Sequence, residues 1–268
     1  MIDFKEIADK SSLYNFHSHT QFCDGRAPME DFAAKAVELG FTDYGFSPHS
    51  PIPAPSSCNM SKDDAISYFK EIDRLRSMYR GKINLFASME IDYLDESWGP
   101  ANPYFDTLPL DYRIGSIHFV PCGDQYVDTD GSFDSFKIKM NRFFNEDIHY
   151  VVELFYLQTY KMIEAGKFEI IGHFDKIGHN ASLYCPGIEN EDWYNDLVVK
   201  TIKTIKEAGL IVEINTKSYD THHRLFPHER YFPLLKKYEI PVVFNSDAHY
   251  PDLINAGREA AMKLYYSL

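Results

Sequence analysis

Six of the eleven histidines in this chain, together with three acids, stand at or just beyond the ends of short apolar runs. Phe16-His17-Ser18-His19 leads into Cys23-Asp24-Gly25, and Ser47-Pro48-His49 and Met89-Glu90 follow two further runs. Ile117-His118, Gly172-His173 and Ser246-Asp247-Ala248-His249 complete the set. His17 and His19 are two apart in an extended segment, so both side chains point to one side and can share an ion. A lone His-x-His pair is more often structural, and the weight comes from nine ligand-type residues in equivalent places. Imidazoles and carboxylates without thiolates suit zinc, manganese or iron, with a carboxylate bridging neighbouring ions. Cys23, Cys58, Cys122 and Cys185 contain no Cys-x-x-Cys pair and read as reduced thiols.

The runs that must position these residues are Leu13–Phe16, Asp43–Phe46, Ile83–Met89, Tyr112–Ile117, Glu169–Ile171, Leu210–Ile214 and Val242–Phe244, seven expected strands. Helical periodicity lies between most of them. Pro28 to Leu39 starts with a proline and stops at Gly40, Ser61 with Asp64 makes a capping-box pattern, and Trp193 to Ala208 ends at Gly209. Strands alternating with helices imply parallel pairing through right-handed crossovers, and this many units predict an α/β barrel or strongly curved sheet. In such barrels sites are built at the C-terminal ends of the strands, where the nine residues fall. No linker or repeat divides the chain, so residues 1–268 read as a single domain. Asp95 to Leu110, rich in proline, reads as a pocket-forming loop, with Trp98 and Tyr104 as aromatic surfaces for a ring.

Subtracting 40 acidic from 27 basic residues leaves a formal charge of −13, which argues against a broad basic surface for nucleic acid or anionic membrane. Residues 1–12 carry charges instead of an apolar run, and Tyr150 to Tyr160 is too short to span a bilayer. The expectation is a cytoplasmic protein.

The motifs together resemble the PHP (polymerase and histidinol phosphatase) superfamily, and more closely its monofunctional histidinol-phosphatase branch. The resemblance rests on His17-Ser-His19, Phe22-Cys-Asp24-Gly25, Pro48-His49-Ser-Pro51, Glu90-Ile-Asp-Tyr93, Gly115-Ser-Ile-His118-Phe119, Gly172-His173-Phe-Asp175, Glu213-Ile-Asn215-Thr216 and Ser246-Asp247-Ala-His249. It implies a distorted seven-stranded (β/α)7 barrel, related to the TIM barrel, holding three divalent ions (zinc, manganese or iron). By motif, His17, His19, Glu90 and Asp247 would hold one ion, Glu90, His118 and His173 a second, and Asp24, His49 and His249 a third. Asp24 stands where some members have histidine, a substitution typical of this branch.

The implied reaction is hydrolysis of L-histidinol phosphate to L-histidinol and phosphate. Water activated between two ions attacks phosphorus in line, and Glu90, Asp247 and His249 serve as the catalytic set. Lys217 and Arg224 follow the sixth run, where the resemblance places a phosphate-binding arginine; Arg224 lies further from Asn215-Thr216 than that arginine usually does. Asp175 reads as an orienting partner for an imidazole, a partner of Lys176, or a helix cap. Arg230 and Arg258 read as solvent-facing, His149 as helical, and His179 and His228 as turn residues outside the site. The competing readings are a phosphoesterase for another small ester or nucleotide, a nuclease, which the charge disfavours, and a non-catalytic metal-binding module.

Overall fold

The computed structural model describes residues 2–268, which form ten strands. In chain order they are β1 (Tyr14–Asn15), β2 (Asp43–Phe46), β3 (Asn84–Ala87), β4 (Glu90–Asp92), β5 (Ile114–Ser116), β6 (Phe119–Cys122), β7 (Gln125–Asp128), β8 (Ile170–Ile171), β9 (Ile211–Asn215) and β10 (Val242–Asn245). Parallel pairing joins them into two sheets, β1-β2-β3 and β10-β9-β8-β5-β4, while β6 and β7 form an antiparallel hairpin. Every residue of β2, β4, β5 and β8 is buried, as expected of parallel strands covered on both faces.

Helices supply that cover because their apolar residues recur on one side. The helix Met29–Glu38 buries Met29, Phe32, Ala33 and Ala36. Lys62–Met78 begins with the Ser61/Asp64 capping box and buries Ala65, Tyr68, Ile72 and Leu75. Asp192–Ala208 stops at Gly209, whose φ of 68° suits the left-handed position that ends a helix. Among the described residues no helix is long and apolar enough to cross a membrane.

Two seams connect the sheets at the strands' C-terminal ends. Ser18 bridges Ala248 in parallel, and the Asn15 and Asn245 side chains accept from the backbone N–H groups of Ser246 (3.0 Å) and Phe16 (2.9 Å). At the second seam His49 bridges Glu90, continuing the β2–β3 register at the same offset of 41 positions. The expected strand Ile83–Met89 is therefore interrupted, and Glu90 opens a separate strand. The cause is Pro48, which lacks the N–H that would reach the Ser88 carbonyl, so the Tyr68 hydroxyl takes that carbonyl at 3.0 Å while Ser88 N–H and Glu90 N–H still donate to the Phe46 (2.8 Å) and Pro48 (3.1 Å) carbonyls.

Other departures have equally local causes. The hairpin β6–β7 turns on Gly123, with φ of 58°, and was not among the expected strands. His179 lies in the helix Ile177–Tyr184, not in a turn. Arg258, expected in solvent, is only 1% exposed. Its guanidinium donates to the Phe244 carbonyl (2.9 Å), Asn255 Oδ1 (2.8 Å) and the Ser12 carbonyl (3.0 Å), and lies over Tyr14 and Phe41. Three acceptors and two rings offset the cost of burying the charge.

Candidate metal centre

Eight of the nine ligand-type residues form three overlapping groups, each with ligand atoms within 4.8 Å of one another: His17, His19 and Asp247; His49, Glu90 and His118; His19, Asp24, His49 and His249. His173 completes the nine, its Nε2 2.8 Å from Glu90 Oε1. Glu90 is the hub. Its carboxylate also lies 3.2 Å from His17 Nε2, 3.1 Å from His49 Nδ1 and 3.3 Å from His118 Nε2. Asp247 is delivered by the end of β10 with a φ of 49°, a left-handed conformation that aspartate tolerates better than most residues and that marks functional positions.

The orientation of the imidazoles follows from what stands behind them. Glu213 Oε1 accepts from His17 Nδ1 at 2.6 Å, so in the neutral imidazole the lone pair is on Nε2 and aimed into the cluster. Asp92 does the same for His118, Oδ1 to Nδ1 at 2.6 Å, and is itself held by Asn59 Nδ2 at 2.9 Å. His249 Nδ1 donates to the Asp247 carbonyl at 3.0 Å, which turns Nε2 towards Asp24 Oδ2 at 3.2 Å.

Five atoms of these nine residues, His17 Nε2, Asp24 Oδ1, His49 Nδ1, Glu90 Oε2 and His173 Nδ1, are buried without a hydrogen-bond partner. Buried polar atoms left this way cost about 1–3 kcal/mol each, so their convergence fits the coordination of cations by N and O ligands. Burial opposes ionisation of Glu90, but the facing His17, His118 and His49 hold it well below the ordinary carboxylate range. Burial likewise opposes ionisation of Asp247, and Lys217 and His17 outweigh it. Burial, reinforced by His19, lowers His49 to about 3 and His249 to about 4, so both imidazoles are neutral at neutral pH.

The cluster floors a cavity of about 310 Å³ lined by Asp24, His49, His118, His249 and Lys217. Lys217 Nζ lies 3.1 Å from Asp247 Oδ1 and 3.4 Å from His249 Nε2. Arg224 is not brought with it. Both its terminal nitrogens are engaged by Glu189, at 2.8 and 2.7 Å, and the side chain is buried, so the loop that carries it turns its charge away from the cavity. Asp175 faces Arg224 at 3.5 Å and accepts from His228 N–H at 2.8 Å; it orients no ligand imidazole. Burial pushes its carboxyl up to about 7 against the pull of Arg224.

Trp98 and Tyr104 stack on each other, with ring centres 6.0 Å apart, and stand outside the cavity wall. Their place is taken by Phe119, by residues 55–59, by Asp128 at the end of β7 and by Asp130 beyond the hairpin, none of which had been assigned to the site from sequence. Asp92 and Glu213 were also missed as orienting groups. A signal existed for Asp92, which follows Glu90 by two positions in a strand and so shares its face.

The PHP domain family matches residues 15–217, and the chain belongs to that family. The histidinol-phosphatase of Bacillus subtilis (strain 168) is 26% identical over 265 residues, covering 92% of this chain and 97% of the relative. That of Lactococcus lactis subsp. lactis (strain IL1403) is 23% identical over 210 residues, covering 77% and 72%. Among solved structures, a chain from Listeria monocytogenes superposes with a TM-score of 0.81 at 19% identity, covering 92% of this chain and 99% of that one. The Lactococcus lactis histidinol phosphate phosphatase, solved with zinc, L-histidinol and phosphate, gives 0.72 at 19% identity, covering 95% and 92%.

Proposed function

We propose that this PHP-family chain is a metal-dependent histidinol-phosphatase that hydrolyses L-histidinol phosphate to L-histidinol and phosphate. The observation that carries the reading is the convergence of nine imidazole and carboxylate side chains, five with orphaned buried atoms, in a family whose curated relatives are histidinol-phosphatases. The fold is read as a distorted seven-stranded barrel forming one domain. Support comes from the constant offset that makes β3 and β4 one interrupted strand and from the two bridges between the sheets.

Three divalent ions are assigned to the cluster. His17, His19, Glu90 and Asp247 would hold the first, Glu90, His118 and His173 the second, and Asp24, His49 and His249 the third. Once bound, the ions supply Lewis-acid charge that activates water at neutral pH and neutralises phosphoryl oxygens. The chain's own residues do the rest. Glu213 and Asp92 hold His17 and His118 in the ligating tautomer. Glu90 would bridge neighbouring ions, while Asp247 and His249 would face the reacting end of the substrate. Lys217, at the cavity wall beside Asp247, contacts the phosphoryl group. Phe119 offers an apolar face to the imidazole of the substrate.

The test is kcat/KM for L-histidinol phosphate against a generic aryl phosphate, on protein loaded with zinc, manganese or iron. A preference of about a thousandfold, roughly 4 kcal/mol of transition-state discrimination, is expected. Equal slow rates on both esters would overturn the substrate while keeping the phosphoesterase. Inertness with every metal would overturn both.

A further inference from the structure

Lys176 follows β8 and precedes the helix Ile177–Tyr184, three positions beyond His173. Its side chain is only 11% exposed, and its Nζ lies 2.9 Å from Asp130 Oδ2 and 3.9 Å from Asp247 Oδ2. Lys217 approaches the other oxygen of the same carboxylate, 3.1 Å from Asp247 Oδ1. Two ammonium groups from different loops therefore flank one carboxylate of the metal cluster. Burying a lysine costs several kcal/mol unless its charge is answered, so a side chain kept in this position calls for a role.

The neighbourhood indicates one. Asp130, Gly131 and Lys217 line both the cavity above the metal cluster and an adjoining cavity of about 380 Å³, which Lys176, His179 and His222 also line. The Asp130–Lys176 pair thus stands where the two cavities meet, beside the position at which a phosphoryl group would sit. With Arg224 engaged by Glu189, Lys176 and Lys217 are the lysine or arginine side chains nearest Asp247 among the described residues. A phosphate dianion offers several equivalent oxygens, and point charges on flexible stems can each take one without the fixed geometry an arginine demands.

We propose that Lys176 and Lys217 together clamp the phosphoryl group, and that Asp130 is the counter-ion that holds Lys176 between turnovers and yields it to the phosphoryl oxygens. The inference rests on the reading of this site as a phosphomonoesterase. It differs from a structural ion pair in the sign of one substitution, Asp130→Asn. If the pair only braces the fold, Lys176→Met and Asp130→Asn each leave a partner unpaired and harm binding alike. If Asp130 competes with phosphate for Lys176, removing its charge strengthens phosphate binding.

The experiment measures binding of inorganic phosphate to metal-loaded protein by calorimetry, with metal content determined on the same samples. Lys176→Met is expected to weaken binding about tenfold or more, and Lys176→Arg to stay within about threefold of the unaltered chain. Asp130→Asn is expected to tighten binding by about threefold or more, with metal content unchanged in all three variants. The clamp is overturned if Lys176→Met binds phosphate within about twofold of the unaltered chain, if Asp130→Asn weakens binding, or if Lys176→Met loses metal. Because the probe is phosphate itself, the clamp and the substrate assignment fail separately. Inactivity on L-histidinol phosphate with the expected binding pattern would remove only the substrate, and turnover with unaltered phosphate binding in Lys176→Met would remove only the clamp.

Discussion

Glu213→Gln is the substitution that best separates an oriented metal ligand from a merely buried histidine. Glu213 receives four donors: His17 Nδ1 at 2.6 Å and Asn245 Nδ2 at 3.0 Å on Oε1, and His173 N–H at 3.1 Å and Asn215 Nδ2 at 3.0 Å on Oε2. Glutamine keeps the shape but replaces one oxygen with an NH2 group, so two of these donors must face another donor. If the NH2 faces His17, the imidazole loses its lock and can turn Nε2 into the protonated nitrogen, which cannot bind an ion. If it faces the other pair, the charge behind His17 is still gone. A charge-assisted hydrogen bond contributes about 1.5–3 kcal/mol, which at about 1.4 kcal/mol per decade is roughly a ten- to hundredfold loss of metal affinity. Chelator competition on the purified variant reads that loss directly, and kcat/KM should fall at limiting metal and recover with excess. Melting of the metal-free protein controls for a general effect on folding. Metal affinity within about threefold of the unaltered chain would refute the assignment of Glu213 as the group that positions His17.

Gly25→Ala should disturb the Asp24 side of the cluster selectively. A Cβ at Gly25 would lie 2.5 Å from the Thr20 nitrogen and 2.7 Å from its carbonyl carbon. Backbone must therefore move and carry Asp24 with it. Metal analysis should show one class of ion weakened while the others persist, and an unchanged metal complement would contradict the placement. A second outcome concerns alkaline stability. Burial raises both Tyr14 and Tyr265 to about 12, with Arg258 opposing the shift at Tyr14. Each tyrosine keeps its proton longer in the folded state than in the unfolded chain, so this stabilisation is complete below pH about 10 and lost as pH rises towards 12. For Tyr14, which is 1% exposed, the two-unit shift corresponds to about 3 kcal/mol. Denaturation midpoints followed from pH 9 to 12 should fall, and the tyrosinate absorbance that a Tyr14→Phe variant lacks should appear only as the chain unfolds; that absorbance appearing near pH 10 in the folded chain would contradict the burial argument.

What could be read from the chain alone, and what could not, divides along sequence distance. The nine ligand-type residues were legible because each sits next to the apolar run that carries it, so local pattern and strand direction together place it at one rim. The groups behind them were not. Glu213 serves His17 across 196 positions, and nothing in Glu213-Ile-Asn215 announces which imidazole it will meet. Arg224 shows the same limit from the other side. A basic residue in a loop beyond β9 is a reasonable phosphate ligand until the fold brings Glu189, 35 positions earlier, against both of its terminal nitrogens. Arg258 was misread because a helical context with a charged side chain looks solvent-facing, whereas its fate depends on free carbonyls at Ser12 and Phe244. The break between β3 and β4 reflects Pro48 in the neighbouring run, whose missing N–H matters only once the two runs pair and set it opposite the Ser88 carbonyl. Lys176 was noticed only as a neighbour of Asp175, yet its charge is answered by Asp130 and Asp247, from loops on either side of the cavity. Local pattern thus identifies groups that are presented to the site, while the groups that tune them depend on pairings only the folded chain creates. Substrate selectivity, which rests on that second set, is accordingly the property for which measurement adds most to the sequence.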